Sequence, residues 1–229
     1  IRRQPAEEAR LRDAIAHDFE PQDLSAPLMA ESADRLLAAG DTARAEKFYR
    51  ALQAMYPRGD VVDFAYAGLG EIALRNGDAQ GALILFDEAI DKGVAGQKLR
   101  ELTLGRSMAL LSLGRLDDAR KGFEQVASVR EWRGEATAQA VYSLGEIEFK
   151  QGRWAEANAV FQRVFVAYQK FLPWVAKSYL ASADCLEKLG KPADAIRTYQ
   201  EMLRNQKLAA LPETATARER LKILQEKQG

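Results

Sequence analysis

The sequence predicts an all-α protein, a solenoid of five stacked helical hairpins with flanking N- and C-terminal helices. Three observations carry this expectation. Glycines fall at positions 40, 77, 114, 152 and 190, spaced by 37, 37, 38 and 38 residues. The same residue types return at fixed offsets around each glycine. Good helix formers (Ala, Leu, Glu, Arg) abound, and prolines number only 7. Self-similarity at a period of this length is the signature of a repeat architecture.

The offsets give the hairpin its physics. Seven residues before the glycines lie Ala33, Gly70, Ser107, Gly145 and Ala183, all small. Five residues after them lie Ala45, Ala82, Ala119, Ala157 and Ala195. Nine residues after them lie Tyr49, Phe86, Phe123, Phe161 and Tyr199, all aromatic. A glycine reaches the left-handed backbone region that ends one helix and starts a tight turn. The small residue and the alanine let two antiparallel helices approach closely. The aromatic, one turn beyond the alanine on the same face, fills the space toward the next hairpin. A lone hairpin cannot cover both faces, so copies must stack.

In order, Pro5 to Asp18 reads as a helix, the second half of an earlier repeat or a cap, and residues 19–26 break it. Hairpins are expected at about 27–57, 63–92, 99–130, 136–170 and 174–206, and a charged final helix at about 213–227. The domain division expected is an N-terminal helix or partial repeat at 1–25, repeats at 26–62, 63–99, 100–137, 138–175 and 176–206, and a capping helix in 207–229. Pro192, Pro173 and Pro212 suit helix starts, where a missing N–H costs nothing.

These columns resemble the tetratricopeptide repeat (TPR) family. Repeat two matches most fully, with Tyr66, Leu69, Gly70, Gly77, Ala82, Phe86 and Ala89; repeat four has Leu144, Gly145, Gly152, Ala157 and Phe161. Pro57 matches the family's closing proline in repeat one, and the later repeats lack it. Arg106 stands where the family prefers Leu, and Glu148 where it prefers a Tyr-like residue. The resemblance spans about residues 26–206 and implies a right-handed superhelix whose first helices line a concave wall. It also implies a non-enzymatic scaffold that binds a protein or peptide partner. Fold alone fixes little of function.

On that wall, six residues before the glycines, lie Asp34, Glu71, Met108, Glu146 and Asp184; only the central copy is not acidic. Leu37, Leu74, Leu111, Phe149 and Glu187 lie three before, and Ala30, Ala67, Leu104, Tyr142 and Leu180 ten before, on one helical face. Arg75, Lys150 and Lys188 edge the stripe. The expectation is a groove for an extended or helical peptide carrying apolar anchors and a basic group. Its partner-binding residues are Asp34, Glu71, Leu74, Arg75, Leu104, Met108, Leu111, Tyr142, Glu146, Phe149, Lys150 and Asp184, with Met108 on an apolar floor between acidic walls. The alternative is that the leucines are inter-repeat core and the acids are simply solvated. The Lys/Asn clamp by which some family members hold acidic chaperone tails is disfavoured, because its positions here are largely acidic or apolar.

No catalytic residue, metal site or cofactor is expected. His17 is the one histidine, and Cys185 reads as a buried, inert thiol. Gly68 and Gly70 sit within a helix with no strand before them and read as packing glycines rather than a phosphate loop. Asp117 and Asp118 open a helix and complement its dipole. Trp154 reads as structural; Trp132 and Trp174 read as packing at inter-repeat joints or as exposed anchors. Lys+Arg and Asp+Glu balance at 33 each, which removes the basic excess of a nucleic-acid binder. No apolar run approaches the roughly 18 residues of a membrane span.

The chain begins at Ile1 without a signal-peptide pattern, which points to a trimmed chain whose targeting segment could lie upstream. Its Ala- and Arg-rich composition points to a GC-rich bacterium. The period, with Trp174, Lys177, Tyr179, Leu189 and Gly190, resembles repeats of periplasmic coordinators and outer-membrane assembly lipoproteins, so an envelope-assembly module, periplasmic or outer-membrane-associated, is one alternative. The regulatory half of a larger protein is another. Partner identity and oligomeric state stay open.

Overall fold

The computed structural model describes residues 5–94 and 96–226. Among them are twelve α-helices and no strand. They are α1 Pro5–Asp18, α2 Ala26–Ala38, α3 Thr42–Met55, α4 Val62–Arg75, α5 Ala79–Asp91, α6 Leu99–Ser112, α7 Leu116–Ser128, α8 Glu135–Lys150, α9 Trp154–Ala167, α10 Leu172–Lys188, α11 Pro192–Arg204 and α12 Pro212–Glu226. The fold is an α-solenoid of helical hairpins. Residue 227, the expected end of the last helix, lies outside the described residues, as do 1–4, 228 and 229. Single 3-10 turns at Pro21–Asp23, Arg130–Trp132 and Gln206–Leu208 occupy junctions that the sequence leaves as loops.

The turns form as the glycine frame requires. Gly77 has φ +80 and follows α4 directly after Asn76. Its N–H reaches Leu74 O at 3.0 Å, and the next N–H, of Asp78, reaches Ala73 O at 2.9 Å. These bonds satisfy carbonyls that the helix end leaves unpaired. The Asp78 carboxylate then caps α5 by accepting from Gly81 N at 2.8 Å, as Asp41 caps α3 from Arg44 N at 3.1 Å.

Packing divides the chain into two compact units, one running to Ala119 and the other from Arg120. In the first, α2 pairs with α3 and α4 with α5, while α2, α4 and α6 pack side by side as a row of first helices. Helix α1 packs on α2. Arg12 joins it to Glu31, and Arg35 reaches Asp13 at 2.8 Å. In the second, α8 pairs with α9 and α10 with α11, and the row of first helices is α8, α10 and α12.

The columns explain the closeness. Ala45, Ala82, Ala157 and Ala195 are fully buried, and Tyr49, Phe86, Phe161 and Tyr199 are within 1% of it. The small residue seven before the turn makes room for its own hairpin's aromatic. A Cβ on Gly70 would lie 2.4 Å from the Phe86 ring, and one on Gly145 2.5 Å from Phe161. A second small position, nine before the turn, takes the aromatic of the preceding hairpin. A Cβ on Gly68 would lie 2.1 Å from Tyr49, and one on Gly105 2.4 Å from Phe86. Phe86 is thus a wedge between two first-helix backbones, at Gly70 of α4 and Gly105 of α6.

Both departures from the family pattern carry ion pairs. Arg106 of α6 holds Asp87 of α5 at 2.5 Å. Glu148 of α8, nearly buried, pairs with Arg120 of α7 at 2.6 Å and with Arg153. These arginines, Arg153 first, hold the Glu148 carboxyl below the usual range. A buried charge is tolerable only when paired in this way.

Candidate functional site

Each unit exposes one face of its row of first helices. In the second unit, Tyr142, Glu146 and Phe149 lie four and three residues apart on α8 and share a face. On α10, Trp174, Lys177, Ala181, Asp184 and Lys188 follow a three–four spacing and also share one. On α12, Glu213, Thr216 and Arg220 do the same. An open cavity of about 560 Å³ lies among these helices and α11, lined by Phe149, Leu180, Asp184, Glu187, Lys188, Tyr199, Thr216 and Arg220. Phe149 and Leu180 are its apolar lining; Asp184, Glu187, Lys188 and Arg220 are its charged lining.

The charges are not all matched. Glu187 is neutralised by Arg220 at 2.6 Å. The Tyr199 hydroxyl lies 3.1 Å from Glu187 Oε1 and 3.3 Å from Asp184 Oδ1 and donates to one of them. Neither Asp184 nor Glu146 has a lysine or arginine at ion-pair distance among the described residues. Burial raises the Asp184 carboxyl above its ordinary value, against the opposing field of Arg220. Burial likewise raises Glu146, against a hydrogen bond from Ser143 and the more distant Lys150 and Lys177. Tyr142 is raised first by burial and then by the charges of Glu146, Asp184 and Glu213. That ring lies 5.3 Å from Phe161 and 5.5 Å from Trp174.

The first unit treats its acids differently. Asp34 accepts from the Tyr49 hydroxyl at 2.6 Å and from Lys98 Nζ at 2.7 Å, so its carboxylate is satisfied within the protein. Lys98 in turn lies 4.2 Å from the Phe64 ring centroid. Glu71 and Arg75 pair with each other at 2.5 Å, exposed. Such a pair contributes little to stability, on the order of 0.5 kcal/mol. Leu74, Leu104 and Met108 are half-buried, whereas Leu111 is 6% exposed and belongs mainly to the core.

The structure therefore brings Tyr142, Glu146, Phe149, Lys150 and Asp184 together on one unit. It places Asp34, Glu71, Leu74, Arg75, Leu104, Met108 and Leu111 on the other. Tyr199 and Arg220 join the second set without being chosen from the sequence, and so does Trp174, which the sequence offers only as joint packing or an exposed anchor. Trp174 was legible, ten residues before Asp184 on the same helix face. Arg220 was not, because α12 takes a first-helix place without a turn glycine to set its frame.

Of the residues weighed for chemistry, His17 is exposed in the last turn of α1. Cys185 is buried, its thiol pushed up to about 12, first by burial. No group of three or more His, Cys, Asp or Glu able to hold a metal occurs among the described residues. No helix of the described residues is long and apolar enough to cross a membrane.

Hairpins packed in rows define a helical-repeat protein. Models of the tetratricopeptide repeat match residues 30–95 and 136–207, between them more than half of the sequence. The chain belongs to the tetratricopeptide repeat family, whose members are generally non-enzymatic scaffolds for protein–protein interaction. Among solved structures it is similar to a thermophilic TPR protein of Thermus thermophilus, at 15% identity and TM-score 0.64, covering 86% of this chain and 100% of that one. It is similar to YrrB, a TPR protein with an unusual peptide-binding site, at 17% identity and TM-score 0.57, covering 91% and 99%. It is also similar to PilW, a widely conserved type IV pilus biogenesis factor, at 15% identity and TM-score 0.65, covering 92% and 89%. At these identities the likeness is one of fold. No curated protein matches the sequence.

Proposed function

We propose that this chain is a non-enzymatic scaffold whose first-helix face in the second unit binds a peptide carrying apolar anchors and a basic group. The observation that carries the reading is the pair Glu146 and Asp184, half-buried carboxylates without an ion-pair partner beside an aromatic and apolar surface. Leaving a desolvated charge unmatched works against the fold. A basic side chain from a partner would supply the missing charge, and the apolar lining of Phe149 and Leu180 would take an apolar neighbour. YrrB, with its peptide-binding site, is a precedent for this use of the fold. The Glu71–Arg75 pair and the leucines of the first unit are a weaker candidate face, because their charges are already met.

Selection from a phage library of random 12-residue peptides tests the proposal. Enrichment of sequences combining Lys or Arg with Leu, Ile or Phe, lost on the Glu146→Lys/Asp184→Lys variant, is the expected outcome. Enrichment of acidic peptides, or of the same basic peptides on the charge-reversed variant, would overturn it.

A further inference from the structure

Trp174 opens α10 with its ring half-exposed, and three contacts describe its surroundings. Its indole N–H donates to Glu135 Oε1 at 3.3 Å. The Tyr142 ring lies beside it at 5.5 Å, tilted by 50°. The Lys177 ammonium, one turn along the same helix, sits 4.6 Å from its centroid. Tyr142 in turn lies one turn from Glu146 on α8 and within its field. The charge of Lys177 also favours the ionised form of Glu146. Among the described residues Lys177 makes no ion pair. An aromatic face with a cation over it thus lies beside Tyr142, one helical turn from a carboxylate that has no ion-pair partner among the described residues.

We propose that Trp174, Tyr142 and Glu146 form a subsite for the guanidinium of an arginine side chain, and that Lys177 stands in for it in the free protein. The inference deepens the reading of the acidic face and rests on it, naming which basic group is taken. A cation over an indole face is attracted by the ring quadrupole, most strongly for Trp. A guanidinium serves this corner better than an ammonium. It is planar, sheds water more readily, stacks on an aromatic face and offers a fork of donors to a carboxylate. Lys177 supplies the charge but not the fork. It reaches the ring from the same helix on a flexible stem, so an incoming arginine displaces it at small cost.

Nuclear magnetic resonance of the full 15N-labelled chain tests the subsite. The indole N–H signal of Trp174, assigned by its loss in Trp174→Leu, is followed during titration with N-acetyl-L-arginine amide. N-acetyl-L-citrulline amide, of the same shape without the charge, is the control. The Trp174 signal is expected to move with the arginine probe and not with the citrulline probe. Lys177→Met should tighten the arginine probe by about threefold, the size of one exposed cation–π contact, and Glu146→Gln should weaken it. A Trp174 signal that stays still, or moves equally with both probes, would overturn the subsite. So would basic peptides from the selection that bind Trp174→Leu as tightly as wild type; that result would leave the acidic-face reading standing. Failure of the selection to enrich basic peptides, with a charge-dependent Trp174 shift retained, would instead sink the face reading and keep the arginine subsite.

Discussion

Phe86→Ala is expected to cost about 4 kcal/mol and to lower the thermal midpoint of the unit that contains it by about 10 °C or more. The ring is 1% exposed. It lies against α4 at Gly70 and against α6 at Gly105, where an added Cβ would come within 2.4 Å of it in each case. Removing a fully buried phenyl loses its transfer free energy and leaves a void. The surrounding structure relaxes only partly into such a void. A control on the same helix sharpens the test. Ile84→Ala removes a side chain that is 56% exposed and should change stability by no more than about 0.5 kcal/mol. Differential scanning calorimetry of the two variants checks the pair. Equal, small effects would show that the aromatic column does not wedge the hairpins.

The double variant Glu146→Gln/Asp184→Asn is expected to melt higher than wild type near neutral pH and to bind the selected basic peptide at least about tenfold more weakly. The two effects have opposite signs for one reason. Burial holds both carboxyls above their ordinary range. A carboxyl whose folded pKa exceeds its unfolded value is protonated more readily in the folded state. Its contribution to stability is therefore most favourable at acid pH and declines as pH rises through the folded value. At neutral pH both charges weigh against the fold. The amides remove the charge yet keep oxygens able to accept from Ser143 and Tyr199. The gain in midpoint should shrink as pH falls below the raised values, where wild type is itself neutral. Stability given up for a functional charge is a common trade in proteins. A melting curve lowered by the amides would mean that the carboxylates serve the fold instead.

Much of the fold is legible in the sequence because its geometry repeats. Gly40, Gly77, Gly114, Gly152 and Gly190 recur where the chain must reach positive φ, and a helix end of that kind excludes nearly every other residue. The alanine and aromatic columns are legible for the same reason, since each fills a space of fixed size. The second small column, at Gly68, Gly105, Ser143 and Ala181, is also present in the sequence. It becomes intelligible only when Tyr49 and Phe86 are seen lying across Gly68 and Gly105.

The face is less legible. Its periodicity places Asp34, Glu71, Glu146 and Asp184 at equivalent positions, yet their environments differ. Asp34 meets Lys98, 64 residues away, and Glu71 meets Arg75, whereas Glu146 and Asp184 meet no such cation among the described residues. A partner as distant as Lys98 is from Asp34 cannot be read from a repeat frame. Leu111, equivalent to Phe149 by position, is core, while Phe149 lines a cavity. Glu148 departs from the family pattern, and its reason lies in Arg120 on the preceding helix.

The central claim is that the Glu146–Asp184 face recognises positive charge. A charge-swap cycle measured by isothermal titration calorimetry tests it most directly. One side is wild type against Glu146→Lys/Asp184→Lys; the other is the selected peptide against a copy with its basic residue changed to Glu. The claim predicts that each single reversal weakens binding by at least about tenfold and that the double reversal recovers a substantial part of the loss. Losses that simply add, with no recovery when both partners are reversed, would contradict it.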